Sequence, residues 1–317
     1  MNEVQNRIYY EAIESRQLLE QNRHRLLEYY SRGSALSRRI NTVKQLLLNG
    51  DMSSIIRLID LRINRSKYVH TDGNDKFSNL IKENTQNIPE DSKIAVYTCL
   101  VGDYANIQEP QYLNPDMDYI IFTDQDLSKD SKWKKIDLKK YGEYEKLTPV
   151  AMNRRVKMLS HEYLSDYDYT VYIDSTVRVA ADLYPMVCNM GDALIGVHIH
   201  ASRDCIYMEG EAVIYSGKTG VKNVAEQLSR YRKEGFPEHY GLFQNSIIIK
   251  NQTKDKCKWL MMSWWNEYRK DNTRDQISLP YILWKNDIKK EEIKVLGVDA
   301  SNNPRFIIDS VHRKTRI

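Results

Sequence analysis

Tyr169-Thr170-Val171-Tyr172-Ile173-Asp174-Ser175-Thr176 reads as a buried strand that ends in a carboxylate followed by two hydroxyls. Its β-branched and aromatic run has the composition of a strand covered on both faces. In an open α/β sheet, ligands gather just beyond the carboxyl ends of the strands. An acid there is held on a rigid element, reaches the cleft, and can ligate a hard cation that bridges nucleotide phosphates. The plainer reading is that Asp174 caps the next segment, as strand-end aspartates commonly do.

Working outward, strands and helices alternate from Lys93 onward. Ile94-Ala95-Val96-Tyr97-Thr98-Cys99-Leu100 is a strand that stops at Gly102-Asp103-Tyr104, and residues 118–123 form a second that stops at Asp124. Thr148-Pro149 opens a helix to about residue 164, with threonine as N-cap and proline at the first position. Further strands are expected at 193–200 and 246–250, and helices at 221–231, 259–268 and 277–284. The pattern predicts an α/β domain with a mostly parallel sheet flanked by helices.

Upstream the texture differs. Ile8, Ala12, Ser15, Leu19, Asn22, Leu26 and Tyr29 follow alternating spacings of four and three, and Leu36, Ile40, Val43 and Leu47 continue the rhythm. A third short helix is expected at 55–63. Residues 1–65 thus read as a helical, coiled-coil-like appendage, residues 66–92 as a polar linker, and residues 93–317 as the α/β domain. The appendage suits homo-oligomerisation or docking to a partner; a hairpin folded onto the domain satisfies the same pattern.

Composition narrows the function. The chain has 317 residues, of which 41% are hydrophobic and 28% charged, with a net charge of only +4. That charge is too small to argue for nucleic acid, although basic residues cluster at both ends and leave peripheral contact with an anionic membrane open. Tyrosine is abundant, at 22 against 5 Phe, and its flat apolar face with a polar edge suits sugar-like ligands as well as ordinary core. Cys99, Cys188, Cys205 and Cys257 are scattered, which argues against a zinc site and against a disulfide framework and suits a reducing, cytoplasmic setting. The first residues lack the apolar core of a signal peptide, and no run approaches membrane-spanning length.

Several side chains are candidates for chemistry. Asp103, Asp124 and Asp174 each follow a strand, and together they would make an acidic crevice at one sheet edge. The helix from Pro149 carries Asn153, Arg154, Arg155 and Lys157. Its two arginines point in different directions, so one faces the cleft; we assign Arg155 as the guanidinium that clamps a diphosphate. The loop 235–245 brings His239, Gln244 and Asn245 ahead of a strand, and Arg274-Asp275-Gln276 precedes an apolar helix. Asp275 fits either a helix N-cap or a base that accepts a sugar hydroxyl. His198 and His200 lie two apart on a strand, without the partners that would complete a metal site. There is no GxGxxG after the first strand, no GxxxxGK[ST] and no GxSxG, which excludes dinucleotide, P-loop and α/β-hydrolase motifs.

Five blocks in order resemble the TOD1/MUCI70 glycosyltransferase-like family. They are residues 96–104 (VYTCLVGDY), 121–124 (IFTD), 172–176 (YIDST), 203–207 (RDCIY) and 274–281 (RDQISLPY), within a similarity spanning roughly 93–290. The resemblance implies a GT-A fold and transfer of a sugar from a nucleotide-sugar, a UDP-sugar first, to a saccharide or glycolipid acceptor, for instance in surface polysaccharide synthesis. It implies Thr98, Asp103, Tyr104, Asp124, Arg155, Asp174 and Thr176 as donor contacts, and Arg203, Glu209, His239, Asn245 and Gln276 as acceptor or sugar contacts. Asp174 would be the first acid of an Asp-x-Asp motif for Mn²⁺ or Mg²⁺, with His312 as a further ligand, and Asp275 the base of an inverting enzyme. Thr176 stands where the second acid is usual, and a carboxylate with a hydroxyl makes a poorer cation site than two carboxylates. The rival readings are a sugar-phosphate nucleotidyltransferase, which normally needs a glycine-rich loop after the first strand, and a catalytically inactive carbohydrate-binding or scaffold protein.

Overall fold

The computed structural model describes residues 88–102, 106–215, 221–271 and 274–308, together with scattered helical positions between 40 and 59. The seam expected over 3–31, the linker up to residue 87, Asp103, Tyr104 and the tail with His312 lie outside the described residues. At the N-terminal positions that are described, Ile40, Leu47, Leu48, Met52, Ile56 and Ile59 are exposed.

Seven strands form one sheet: β1 (Ile94–Leu100), β2 (Met117–Thr123), β3 (Lys134–Asp137), β4 (Tyr169–Ile173), β6 (Ile195–Ile199), β7 (Phe243–Asn251) and β8 (Ile293–Val298). Their order is β3-β2-β1-β4-β7-β6-β8, and every neighbouring pair is parallel except the two made by β7. A separate pair, β5 (Val177–Val179) with β9 (Phe306–Ile308), is antiparallel. The mostly parallel sheet expected from the sequence is present, and the reversed strand is the part its composition did not reveal.

Alternation along the strands builds two cores. Ala95, Tyr97 and Cys99 point to one face and pack with Met152, Val156, Trp264, Leu279 and Tyr281. Those last five come from helices α1 (Pro149–Met158), α6 (Asp255–Asp271) and α7 (Asp275–Lys285). Ile94 and Val96 point to the other face, among Val177, Val179, Leu183, Met186 and Phe306 of the small sheet and helix α3 (Tyr184–Cys188) with its approach. Short helix α2 (Ser160–Tyr163) and helices α4 (Ile206–Tyr215) and α5 (Val221–Lys233) complete the layers. The cysteines described are all free, and no helix among the described residues is long and apolar enough to cross a membrane.

Helix α1 starts as its sequence dictates: the Thr148 hydroxyl accepts from the Ala151 N–H at 3.2 Å, and Pro149 opens the first turn. It does not run unbroken to residue 164. Leu159 leaves the helical region at φ −99°, ψ 40°, and α2 begins anew at Ser160. The Lys157 carbonyl, which an unbroken helix would use four residues on, accepts instead from the Tyr97 hydroxyl at 2.8 Å and the Lys250 ammonium at 2.6 Å. Tertiary bonds from β1 and β7 therefore end the helix.

Candidate functional site

A polar cavity of about 310 Å³ opens at the carboxyl edge of the parallel strands. Strand β4 delivers Asp174 to it. Because β7 runs the opposite way, the beginning of that strand lies beside the end of β4, and the Asp174 N–H donates to the Ser246 carbonyl at 2.8 Å. Gln244, Asn245 and Ser246 thereby join the lining. Helix α1 contributes Arg154 and Lys157, the start of α7 contributes Asp275 and Gln276 with Arg274 just before it, and His200, Asp299, Ser301 and Ile308 close the remainder.

The centre of the charge pattern is Asp275, which is 4% exposed. Its carboxylate holds the Lys157 ammonium at 2.6 Å and the Arg154 Nε at 3.2 Å. Burial alone would push this carboxyl up; Arg154, Lys157 and Arg274 outweigh it and hold Asp275 far below the usual carboxylate range. Burial also works against the charge of Arg154, and Asp275 and Asp174 reverse that and keep it a firm cation. Asp174 is more open: its Oδ1 accepts from the Tyr172 hydroxyl at 2.8 Å and lies 3.7 Å from the Lys157 ammonium.

The other wall reads hydroxyls and amides. Asn245, 5% exposed, donates through Nδ2 to the Asp275 carbonyl at 3.2 Å, while its Oδ1 has no hydrogen-bond partner among the described residues. Asp299 stands at φ 58°, a left-handed conformation uncommon for a non-glycine residue, and its carboxylate accepts from Gln244 and Ser301. The His200 ring accepts through Nδ1 from the Ser202 and Arg203 N–H groups at 3.2 and 3.1 Å. Burial lowers its pKa against the opposing pull of Glu209, so a neutral ring faces the cavity at pH 7.

Among the residues singled out from sequence, the structure gathers Asp174, Asn245, Asp275 and Gln276 around this cavity. Arg155 lies elsewhere, paired with Glu143 at 3.1 Å and Glu162 at 2.6 Å; Arg154 is the arginine that faces the cleft. Asp124 accepts the Gly102 N–H at 2.9 Å and the Tyr144 hydroxyl at 2.8 Å, bracing the turn that ends β1. Thr98 is buried within β1 with its hydroxyl unpaired, and Thr176 is half-buried in the turn after Asp174, outside the cavity lining. Arg203 and Glu209 pair with each other at 2.7 Å behind His200, and exposed His239 pairs with Asp204 at 2.8 Å outside the cavity. His198 and His200 part company where the β6 register shifts: His198 is buried against Asn303 and Phe306, and His200 reaches the cavity.

Sequence reasoning named Arg154, Lys157, Arg274, His200 and Gln244 without assigning them to the site, and it passed over Asp299. For the first two a signal existed. Arg154 and Lys157 are spaced i and i+3 and share a helix face, whereas Arg155, two residues before Lys157, points to another side.

The family model for the TOD1/MUCI70, glycosyltransferase-like domain matches residues 67–307. The chain belongs to that family. The match begins well upstream of the 93–290 span seen from sequence blocks and leaves residues 1–66 outside it. Among solved structures, apo mouse xyloside xylosyltransferase 1 is similar at 12% identity and a TM-score of 0.37, over 64% of this chain and 84% of that one. The apo WbbM bifunctional glycosyltransferase is similar at 15% identity and a TM-score of 0.35, over 67% of this chain and 40% of that one. Curated protein sequences gave no match.

The resemblance to GT-A enzymes implied a divalent cation held by Asp174 and His312; His312 lies outside the described residues, and the charge beside Asp174 disfavours the ion. A cation that serves a nucleotide needs only one or two protein carboxylates, with phosphate and water oxygens completing its shell. Here no three histidine, cysteine or carboxylate side chains converge among the described residues, and a lysine ammonium already stands against Asp174.

Proposed function

We propose that this domain transfers a glycosyl group from a nucleotide-sugar, with UDP-sugars the first candidates, to a hydroxyl of a saccharide acceptor. Membership of a glycosyltransferase-like family supports the reaction class. The observation that carries the reading is the buried Arg154–Asp275–Lys157 cluster opening into a polar cavity at the carboxyl edge of the parallel strands, beside Asp174. In such a transfer the bond from the anomeric carbon to the diphosphate oxygen breaks, the diphosphate leaves with the electron pair, and the acceptor oxygen bonds to the same carbon as its proton passes to the departing diphosphate or to water. Preorganised positive groups that face the developing diphosphate charge lower the barrier, and a half-buried site strengthens them. The amide and carboxylate wall of Asn245, Gln244 and Asp299 suits sugar hydroxyls.

The structure also bears on the base. A carboxylate held as low as Asp275 stays ionised but is a weak proton acceptor, because base strength falls with pKa. Its role in this reading is to hold Arg154 and Lys157 in place. Donor hydrolysis measured over a panel of nucleotide sugars tests the function. The wild-type chain should release a nucleoside diphosphate from at least one donor, and Arg154→Ala should lower that rate by about 100-fold or more, the scale of losing a charge-stabilising donor. A folded wild-type chain that turns over no donor and binds none would overturn the proposal.

A further inference from the structure

The cavity is lined by three cations, Arg154, Lys157 and Arg274, and by three carboxylates, Asp174, Asp275 and Asp299. Asp275 pairs with Arg154 and Lys157, and Asp299 accepts from Gln244 and Ser301. Lys157 is 1% exposed, and its ammonium lies 2.6 Å from Asp275 Oδ2 and 3.7 Å from Asp174 Oδ1. Arg154 is fixed on two sides, by Asp275 and by the Asn153 Oδ1 at 2.5 Å. Arg274 is half-buried, and its Nε is sealed from solvent without a hydrogen-bond partner among the described residues. A buried, charged donor left unpaired costs free energy unless a ligand completes it.

Asp174, for its part, is already served. The Tyr172 hydroxyl donates to it, and the Lys157 ammonium neutralises it. A divalent ion bound there would face that ammonium at close range, and Lys157 has no solvent-exposed position to retreat to. We infer that Arg154, Lys157 and Arg274 hold the donor diphosphate in the place where a divalent cation would otherwise stand, so that nucleotide binding is independent of metal. Guanidinium groups suit this task, since their fork of donors matches phosphate oxygens and their charge does not titrate. The inference rests on the glycosyltransferase reading and specifies how its leaving group is bound.

Calorimetric titration of the full chain with UDP, and separately with GDP, in EDTA and then in excess Mn²⁺, tests it. The affinity for whichever nucleotide binds should agree between the two conditions within about twofold. Arg274→Gln should weaken it by at least about tenfold with an unchanged melting curve, the scale of one charge-assisted hydrogen bond to phosphate. The wild-type affinity should also fall steadily with added salt. Binding lost in EDTA and restored by Mn²⁺ would sink the inference and leave the glycosyltransferase reading intact, as would an Arg274→Gln chain that binds as well as the wild type. No binding of either nucleotide in either condition would overturn both.

Discussion

At the scale of single residues, Asp275 is the centre of balance. Its carboxylate is nearly sealed from water, and it holds the buried Lys157 and the half-buried Arg154 within ion-pair distance. Removing its charge leaves Lys157 with only the longer contact to Asp174, and unpaired buried charges are costly. Asp275→Asn should lower stability by about 3 kcal/mol in urea titrations at pH 7. The sign with pH follows from the depressed carboxyl: its contribution is whole above the ordinary value of 3.8 and fades as the pH falls below it. The gap between variant and wild type should therefore narrow below about pH 3.8. Asp275 was legible in the sequence because an acid beside an arginine at a helix start is a local pattern. Asp299 was not: its position depends on a left-handed residue after β8, and nothing in the run Gly297-Val298-Asp299 announces that turn.

At the scale of elements, the long apolar runs of β1, β2 and β4 were legible because buried parallel strands need little but branched and aromatic side chains. The reversal of β7 was not, since strand direction is decided by connections rather than composition. Nor was the break after α1, which comes from Tyr97 and Lys250, 60 and 93 residues away in sequence. Close packing of β6 is similarly non-local. A methyl group on Gly196 would meet the Met190 sulfur at 2.7 Å and the Ile249 Cβ at 3.3 Å. Gly196→Ala should then cost about 1–3 kcal/mol by urea unfolding, as overpacked core positions do. A loss below about 0.3 kcal/mol would mean that the β6–β7–β8 region yields more readily than the geometry indicates.

Across the whole molecule, the sheet separates two cores, and Lys250 is buried beside the first of them. Lys250 is fully enclosed, and burial lowers its pKa to about 7, with Cys257 pulling the other way and Lys157 adding to the fall. The unfolded chain keeps that lysine protonated up to about 10.5, so between the two values the unfolded state binds more protons and stability rises with pH. The wild type should gain stability from pH 7 to about 8.5 relative to Lys250→Met. Parallel pH profiles for the two proteins would refute this. Lys250 also matters for where the charge of the cavity stands. It donates to the carbonyl of Lys157, whose own side chain carries a positive charge into the cavity. One peptide unit thus joins the interior Lys250 amine to a side chain of the cavity lining, and that part of the lining is anchored to the middle of the sheet as well as to the loops around its rim. Mutations in those loops would change what enters the cavity, while a change at Lys250 would shift the datum from which its charges are aimed.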